Sequence, residues 1–250
     1  MCAKIIDYGM NGEGVFKENN KIHLIPNCLI GEEVEAEIVK DYGNYATANL
    51  IEVFSKSPNR IEPKCKYYQN CGGCSLQHMK YCEQLKYKTL LIEKTLKKIT
   101  GLNTKVNPCI GSDSDFNYRN KVSFNFNQNK SGFYKPNTHE IVEIDGCLLA
   151  SHNINKVYTL FLEFLKNNKV SGIKNLVVRE INEEILVGVV AKTEIDLTKF
   201  SDILQKHFKR IGLYLIVNTR KDSVVLSGKV IHDTVDKTEK VVEFKTIEVS

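Results

Sequence analysis

Long apolar runs are missing from this sequence. None approaches the roughly 18 to 20 residues that cross a bilayer as a helix, so a helical membrane span is excluded. The opening residues, Met1-Cys2-Ala3-Lys4-Ile5-Ile6-Asp7, lack the apolar core of a secretion signal, and a cytoplasmic location is expected. Also missing is a strand, a Gly-x-Gly turn and a helix in succession, the unit that holds nucleotide cofactors. The turn Gly9-Met10-Asn11-Gly12-Glu13-Gly14 has a superficial likeness to one. Another strand follows it, so no helix N-terminus faces a phosphate there. Biased composition is absent as well. With 42% hydrophobic and 26% charged residues over 250 positions, the chain is neither a disordered tail, a collagen nor a coiled coil, and it has room for two domains.

What charge there is lies unevenly. The formal net charge is +5. Residues 1–55 carry 4 Lys/Arg against 9 Asp/Glu, whereas residues 56–109 carry 11 against 3. A basic block beside an acidic one points to a polyanion partner, with nucleic acid the usual choice. Eight cysteines in a chain expected in a reducing compartment point to metal ligands or reactive thiols more than to disulfides. Four crowd together (Cys65, Cys71, Cys74 and Cys82), while Cys2, Cys28, Cys109 and Cys147 are scattered.

Residues 1–55 read as short strands separated by turn residues, which suits a small closed barrel of OB type. Ser57-Pro58-Asn59-Arg60 with Pro63 marks a boundary. Residues 83–100 form an amphipathic helix, with Leu85, Ile92, Leu96 and Ile99 on one face and Gly101 as its stop. Residues 117–147 are strand-rich, with Val122, Phe124 and Phe126 alternating against Ser123, Asn125 and Asn127. The last hundred residues repeat a helix and a hairpin twice: Ser151–Asn168 before Ile173–Arg179 and Ile185–Lys192, then Asp196–Lys209 before Leu213–Thr219 and Val224–Ser227. That order predicts an antiparallel sheet with two helices on one face, an α+β arrangement.

Cys65 to Cys74 has the form C-x5-C-G-G-C. Paired glycines let the backbone wrap tightly between two ligands. Zinc and an iron–sulfur cube both need a fourth ligand, and spacing alone nominates Cys82 without choosing between the metals.

The same stretch carries a resemblance that runs over essentially the whole chain. Cys71-Gly72-Gly73-Cys74-Ser75-Leu76-Gln77-His78, preceded by Ser57-Pro58-Asn59-Arg60 and Cys65, resembles the RumA/RlmD-type uracil-5 RNA methyltransferases. So do Gly12-Glu13-Gly14-Val15, Tyr118-Arg119-Asn120-Lys121, Gly132-Phe133-Tyr134 and the approach Ile141 to Cys147. The resemblance implies a multi-domain β and α+β protein, with an N-terminal OB-like TRAM β-barrel over 1–56 and an α+β iron–sulfur central domain with an antiparallel sheet. That domain would comprise a cysteine loop over 57–82 and the body over 102–229. Residues 83–101 would be a helix that packs on a methyltransferase domain, and 230–250 a strand leading into it. The resemblance also implies a 4Fe–4S cluster on Cys65, Cys71, Cys74 and Cys147 in place of Cys82. It implies S-adenosylmethionine as methyl donor in the full-length protein and large-subunit ribosomal RNA as substrate. Because no cofactor-binding unit is visible, the chain is expected to be the RNA-binding, iron–sulfur-carrying portion of such an enzyme and inactive alone. Its bared helix 83–100 would favour self-association.

RNA-reading modules combine cations for phosphates with aromatics that stack on unpaired bases. Arg60, Lys64 and Lys66 flank the cysteine loop, and Arg119, Lys121, Tyr134 and Lys135 line the hairpin region; these seven are the expected RNA contacts. The alternatives are a non-catalytic zinc-bound RNA-binding module and a fragment of a transfer-RNA-directed uracil-5 methyltransferase. A radical methylthiotransferase is disfavoured, since it expects C-x3-C-x2-C and a C-terminal TRAM.

Overall fold

The structure, a computed structural model, describes residues 1–127, 130–219, 225–226 and 229–233. It divides into two compact units, Met1–Asp115 and Phe116–Ser250.

In the first unit, β1 (Cys2–Lys4), β2 (Asp7–Tyr8), β3 (Gly14–Glu18), β4 (Lys21–Ile25), β5 (Glu33–Asp41) and β6 (Tyr45–Ser55) make one six-stranded sheet in the order β1-β5-β6-β4-β3-β2. The run 4–8 is divided between two neighbours. Ile5 N–H donates to Glu32 O (2.9 Å) beside β5, and Ile6 N–H donates to Val15 O (2.9 Å) beside β3. β4 pairs in parallel with β6. The core is small-grained, with Ala3, Ile5, Ile25, Cys28, Val34, Ala36 and Ala48 all nearly or fully buried. Alternation on β5 explains it: Val34 and Ala36 face inward, and Glu33 and Glu35 point away.

Helix α1 (Tyr81–Thr100) closes a second cluster, in which Tyr87 packs with Leu29 and Met79. The Tyr87 ring meets Tyr8 edge-on at 5.3 Å, and its hydroxyl lies within 3.0 Å of Gly9 O and 2.8 Å of Met10 O. Gly101 ends the helix in the left-handed region, its N–H donating to Lys97 O (2.9 Å). Of the four apolar residues on the predicted stripe, Ile92 and Ile99 are exposed and Leu85 and Leu96 are half-buried.

In the second unit, β7 (Lys121–Asn127), β8 (Lys130–Tyr134), β9 (Ile141–Glu143), β10 (Ile173–Ile181), β11 (Glu184–Ala191), β12 (Ile211–Val217) and β13 (Lys229–Asp233) form a seven-stranded sheet in the order β13-β12-β11-β10-β7-β8-β9. Helices α2 (His152–Asn168) and α3 (Thr198–His207) carry its aromatic core. Tyr158 of α2 stacks on Phe124 at 3.9 Å, Phe161 meets Phe126 edge-on, and Phe200 of α3 packs on Phe161 and Phe164. Ser151 caps α2, its side chain accepting from Ile154 N–H (3.2 Å).

These sheets correct the expected architecture. The chain does not form an OB-like TRAM barrel followed by a separate antiparallel iron–sulfur domain; it forms two mixed sheets with three helices among the described residues. In the second sheet the reason is the α3 crossover, which returns the chain so that β12 runs parallel to β11. Of the expected return strand 224–227, Val225 and Leu226 are described and form a turn, while 224, 227 and all of 230–250 beyond Asp233 lie outside the described residues. The strand that pairs with β12 is β13.

Candidate nucleic-acid interface

The cysteine loop of the first unit is built on a buried ion pair. Glu32 is 0% exposed. Its carboxylate accepts from Arg60 Nε and Nη2, both at 2.6 Å, from Leu29 N–H (2.8 Å) and from Ser57 N–H (3.1 Å). Burial alone would raise the Glu32 pKa, but the Arg60 hydrogen bonds and the two amides outweigh it and hold the group below the usual carboxylate value. Arg60 Nη2 also donates to Asn27 O (2.7 Å). Arg60, expected to touch RNA, is thus an internal clamp. Tyr68, His78 and Asn27 form a second buried knot. The Tyr68 hydroxyl faces two acceptors, Asn27 Oδ1 and Ser75 O, each at 2.9 Å, so it donates to one of them. His78 Nδ1 lies 2.7 Å from the Tyr68 oxygen in the same knot.

Burial, followed by the nearby Arg60 cation, pushes the His78 pKa down to about 4. The folded state thus resists a proton that the unfolded chain takes up near pH 6.5. Stability is expected to fall as pH drops from about 6.5 to 4, with His78 contributing no slope above that window. Urea unfolding at pH 7 and pH 5 checks this: the loss on acidification should shrink in His78→Gln, and an unchanged loss would assign it elsewhere.

The thiols of the loop are held by hydrogen bonds. Gln77 joins the Cys74 thiol to the Cys65 backbone, its Nε2 donating to Cys74 Sγ (3.2 Å) and its Oε1 accepting from Cys65 N–H (3.2 Å). Gly73 N–H donates to Cys71 Sγ (3.4 Å). Among the described residues no group of three or more His, Cys, Asp or Glu side chains is arranged to hold a metal ion. Neither the expected 4Fe–4S cluster on Cys65, Cys71, Cys74 and Cys147 nor a zinc site is thus supported among the described residues. Three of these cysteines belong to the first compact unit and Cys147 to the second, where its backbone is tied to Asn155. Cys28 is inert as a thiolate, since burial pushes it up to about 12. Lys64 and Lys66 are exposed beside the loop, with Lys66 Nζ 5.0 Å from the Tyr67 ring centre. The glycine turn 9–14 holds no cofactor cradle. It runs into β3, and the space beside Gly12 is filled by Leu76 and Tyr87.

In the second unit, strand alternation sorts the side chains. Val122 and Phe124, with Leu176 and Val178 opposite them in register, are buried on the helix side. Lys121, Ser123 and Asn125, with Arg179, Val177 and Asn175 opposite, form the other face. Asn175 is 7% exposed, and its Nδ2 donates to Asn125 Oδ1 (2.9 Å). Tyr134, two residues beyond Gly132, which pairs with Asn125, extends this face and is 38% exposed. Lys121 and Arg179 are both exposed and stand directly opposite each other. Neither makes an ion pair with a carboxylate among the described residues. Like charges in direct cross-strand opposition cost stability, and an anion lying across them relieves that cost. Of the other expected contacts, Arg119 is half-buried and bridged through its backbone to Ala150, and Lys135 is paired with Glu140 (2.7 Å) at the hairpin end. The sequence reading missed Arg179 and Asn175. The alternation Asn175, Val177, Arg179 was the available signal, but it does not say which strand lies alongside.

No protein-family model matches the chain. In sequence it is similar to an "Uncharacterized RNA methyltransferase" of Clostridium tetani, 31% identical over 89% of this chain and 52% of the relative. It is also similar to one of Clostridium acetobutylicum, 30% identical over 90% of this chain and 54% of the relative. Among solved structures it matches the Pyrococcus abyssi tRNA (uracil-54, C5)-methyltransferase in complex with S-adenosyl-L-homocysteine. The TM-score is 0.68 and the identity 26%, covering 93% of this chain and 56% of that one. The chain spans about half the length of the curated relatives it matches. No helix among the described residues is long and apolar enough to cross a membrane. These likenesses also correct the expectation of an inactive iron–sulfur portion. The relatives are RNA methyltransferases by name, the matching structure holds a product of methyl transfer, and nothing in either marks the chain as inactive. Sequence and fold together relate this chain to the RNA methyltransferases, and its fold to that of a uracil-5 enzyme.

Proposed function

We propose that the protein works in S-adenosylmethionine-dependent methylation of uracil C5 in RNA, and that the exposed Lys121 and Arg179, on the face of its second sheet away from α2 and α3, hold the RNA. The observation that carries the second part is the unneutralised Lys121–Arg179 pair beside Asn125, Asn175 and Tyr134. It offers two exposed cations for phosphates and a partly exposed ring for stacking. The methyl donor enters the reading from the S-adenosyl-L-homocysteine of the matching structure, and no described residue is assigned to it. Large-subunit ribosomal RNA is the favoured substrate, because the cysteine-loop sequence resembles the ribosomal enzymes. Transfer RNA is the second reading, favoured by the substrate in the matching structure's name.

The test is 5-methyluridine content, measured by mass spectrometry in ribosomal and transfer RNA from cells with and without the gene. Loss from the large-subunit ribosomal RNA is expected. Loss from transfer RNA alone selects the second reading, and no loss in either overturns the function. For the interface, Lys121→Glu and Arg179→Glu should each weaken RNA binding and lower the slope of log affinity against log salt by about 0.7. Each should leave unfolding free energy unchanged or raised by a few tenths of a kcal/mol, since a like-charge pair is removed. Weakened folding without weakened binding would count against the assignment.

A further inference from the structure

We propose that the tip of the β5–β6 hairpin, Tyr42 to Tyr45, is a stacking site for one unpaired RNA base; this rests on the reading of the protein as RNA-binding and adds a second place of contact. From Glu37 to Asp41 every residue of β5 is exposed, so the hairpin runs past the buried core of its sheet. At its end the rings of Tyr42 and Tyr45 lie parallel, 4.5 Å between centres and 7° between planes. Tyr42 is 45% exposed. The turn is closed on itself. Tyr42 N–H donates to Tyr45 O (2.9 Å), Gly43 N–H donates to Asp41 Oδ1 (2.8 Å), and Gly43 takes φ 87° with open space where a side chain would stand. A ring pair held by its own turn loses little freedom when a base lies on it.

The charges fit the same ligand. Asp41, which precedes Tyr42 in the chain, is paired with Lys21, which offsets its repulsion of a phosphate. Lys40 Nζ sits 4.8 Å from the centre of the Tyr42 ring. Because residues 1–55 are net acidic, the contact cannot depend on broad attraction to the backbone. Ring-on-base stacking accepts any base and is worth a substantial share of single-strand affinity. The site therefore has a distinctive signature, namely affinity that depends on the rings and hardly on salt.

The experiment measures binding of a single-stranded oligouridine of about twelve nucleotides to the full chain. Tyr42→Ala and Tyr45→Ala should each weaken binding about 5- to 100-fold, with an unchanged salt slope, while Tyr42→Phe and Tyr45→Phe bind like the wild type. The protein contains no tryptophan, so Tyr42→Trp supplies a single reporter that does not rely on the alanine variants folding. Its emission should be quenched by oligouridine and not by an abasic strand of the same length. Unaltered binding in the double alanine variant, equal losses for phenylalanine and alanine, or equal quenching by the abasic strand would each overturn the proposal. Failure of the wild type to bind any RNA overturns the proposed function with it, whereas binding that survives the alanine variants overturns this inference alone.

Discussion

Arg60→Ala is expected to cost about 3 to 5 kcal/mol of unfolding free energy, because it leaves a buried carboxylate without its partner. Glu32 is fully buried and Arg60 only 17% exposed in its side chain, and two short hydrogen bonds join them fork to fork. The pair ties three separate stretches together: the turn at Asn27 and Leu29, the strand entry at Glu32, and the segment 57–60 that leads into the cysteine loop. Arg60→Lys should recover only part of the loss, since a lysine cannot reproduce the bidentate geometry and the bond to Asn27 O together. The pH dependence has a definite sign. The Glu32 pKa is depressed in the fold, so its contribution is fully present above the ordinary carboxylate value and is lost as pH falls through the lowered one. That window lies below the one assigned to His78, so the two effects separate. Urea unfolding across pH 3 to 7 would show it. A wild-type-like midpoint in Arg60→Ala would mean that the pair is incidental.

Gly132→Ala is the second large effect, about 3 kcal/mol or more. Gly132 takes φ 152°, and a Cβ built on it would lie 2.0 Å from Val142 O, 3.1 Å from Val142 C and 3.3 Å from Ile144 N. All three are backbone atoms of β9 or its end, so no side chain can swing aside. The strand must move, and with it the pairing of Gly132 with Glu143 and of Tyr134 with Ile141. Amide exchange should therefore rise in Ile141–Glu143 before it rises elsewhere in the sheet, with a lower unfolding midpoint. RNA affinity should fall as well, since Tyr134 belongs to the proposed interface. A Gly132→Ala variant as stable as the wild type would show that β8 and β9 are not as closely apposed as the structure has them.

The elements themselves were largely legible. Alternation along 121–127 marked a strand and separated its faces, because a strand's side-chain period is two whatever it pairs with. The helix 83–100 was readable from its spacing and from Gly101, and it runs from Tyr81 to Thr100. The helix read over 151–168 forms as α2, and its Tyr158 and Phe161 pack on Phe124 and Phe126. Local periodicity and chain termination signals act over a few residues, and a sequence shows them directly.

Pairing is another matter, because neighbours in a sheet are chosen by the path of the whole chain. Alternation placed Lys121 off the apolar face, yet only the register of β7 on β10 sets it opposite Arg179. A helix between two strands did not reveal that β12 would return parallel to β11. Arg60 read as a cation beside a basic loop, but the fold brought Glu32 to it from the far side of a turn, and a buried pair with four donors outcompetes solvent or phosphate. Spacing likewise nominated four thiols for one metal, whereas convergence of ligands depends on where the intervening backbone goes, and here Cys74 Sγ accepts from Gln77 and Cys71 Sγ from Gly73. The sequence by itself thus determined most strands and the helices and carried a resemblance to RNA methyltransferases. Which charges meet, which are neutralised and which are left to face a ligand was decided only by tertiary structure, since electrostatic partners are selected by distance in space and not along the chain.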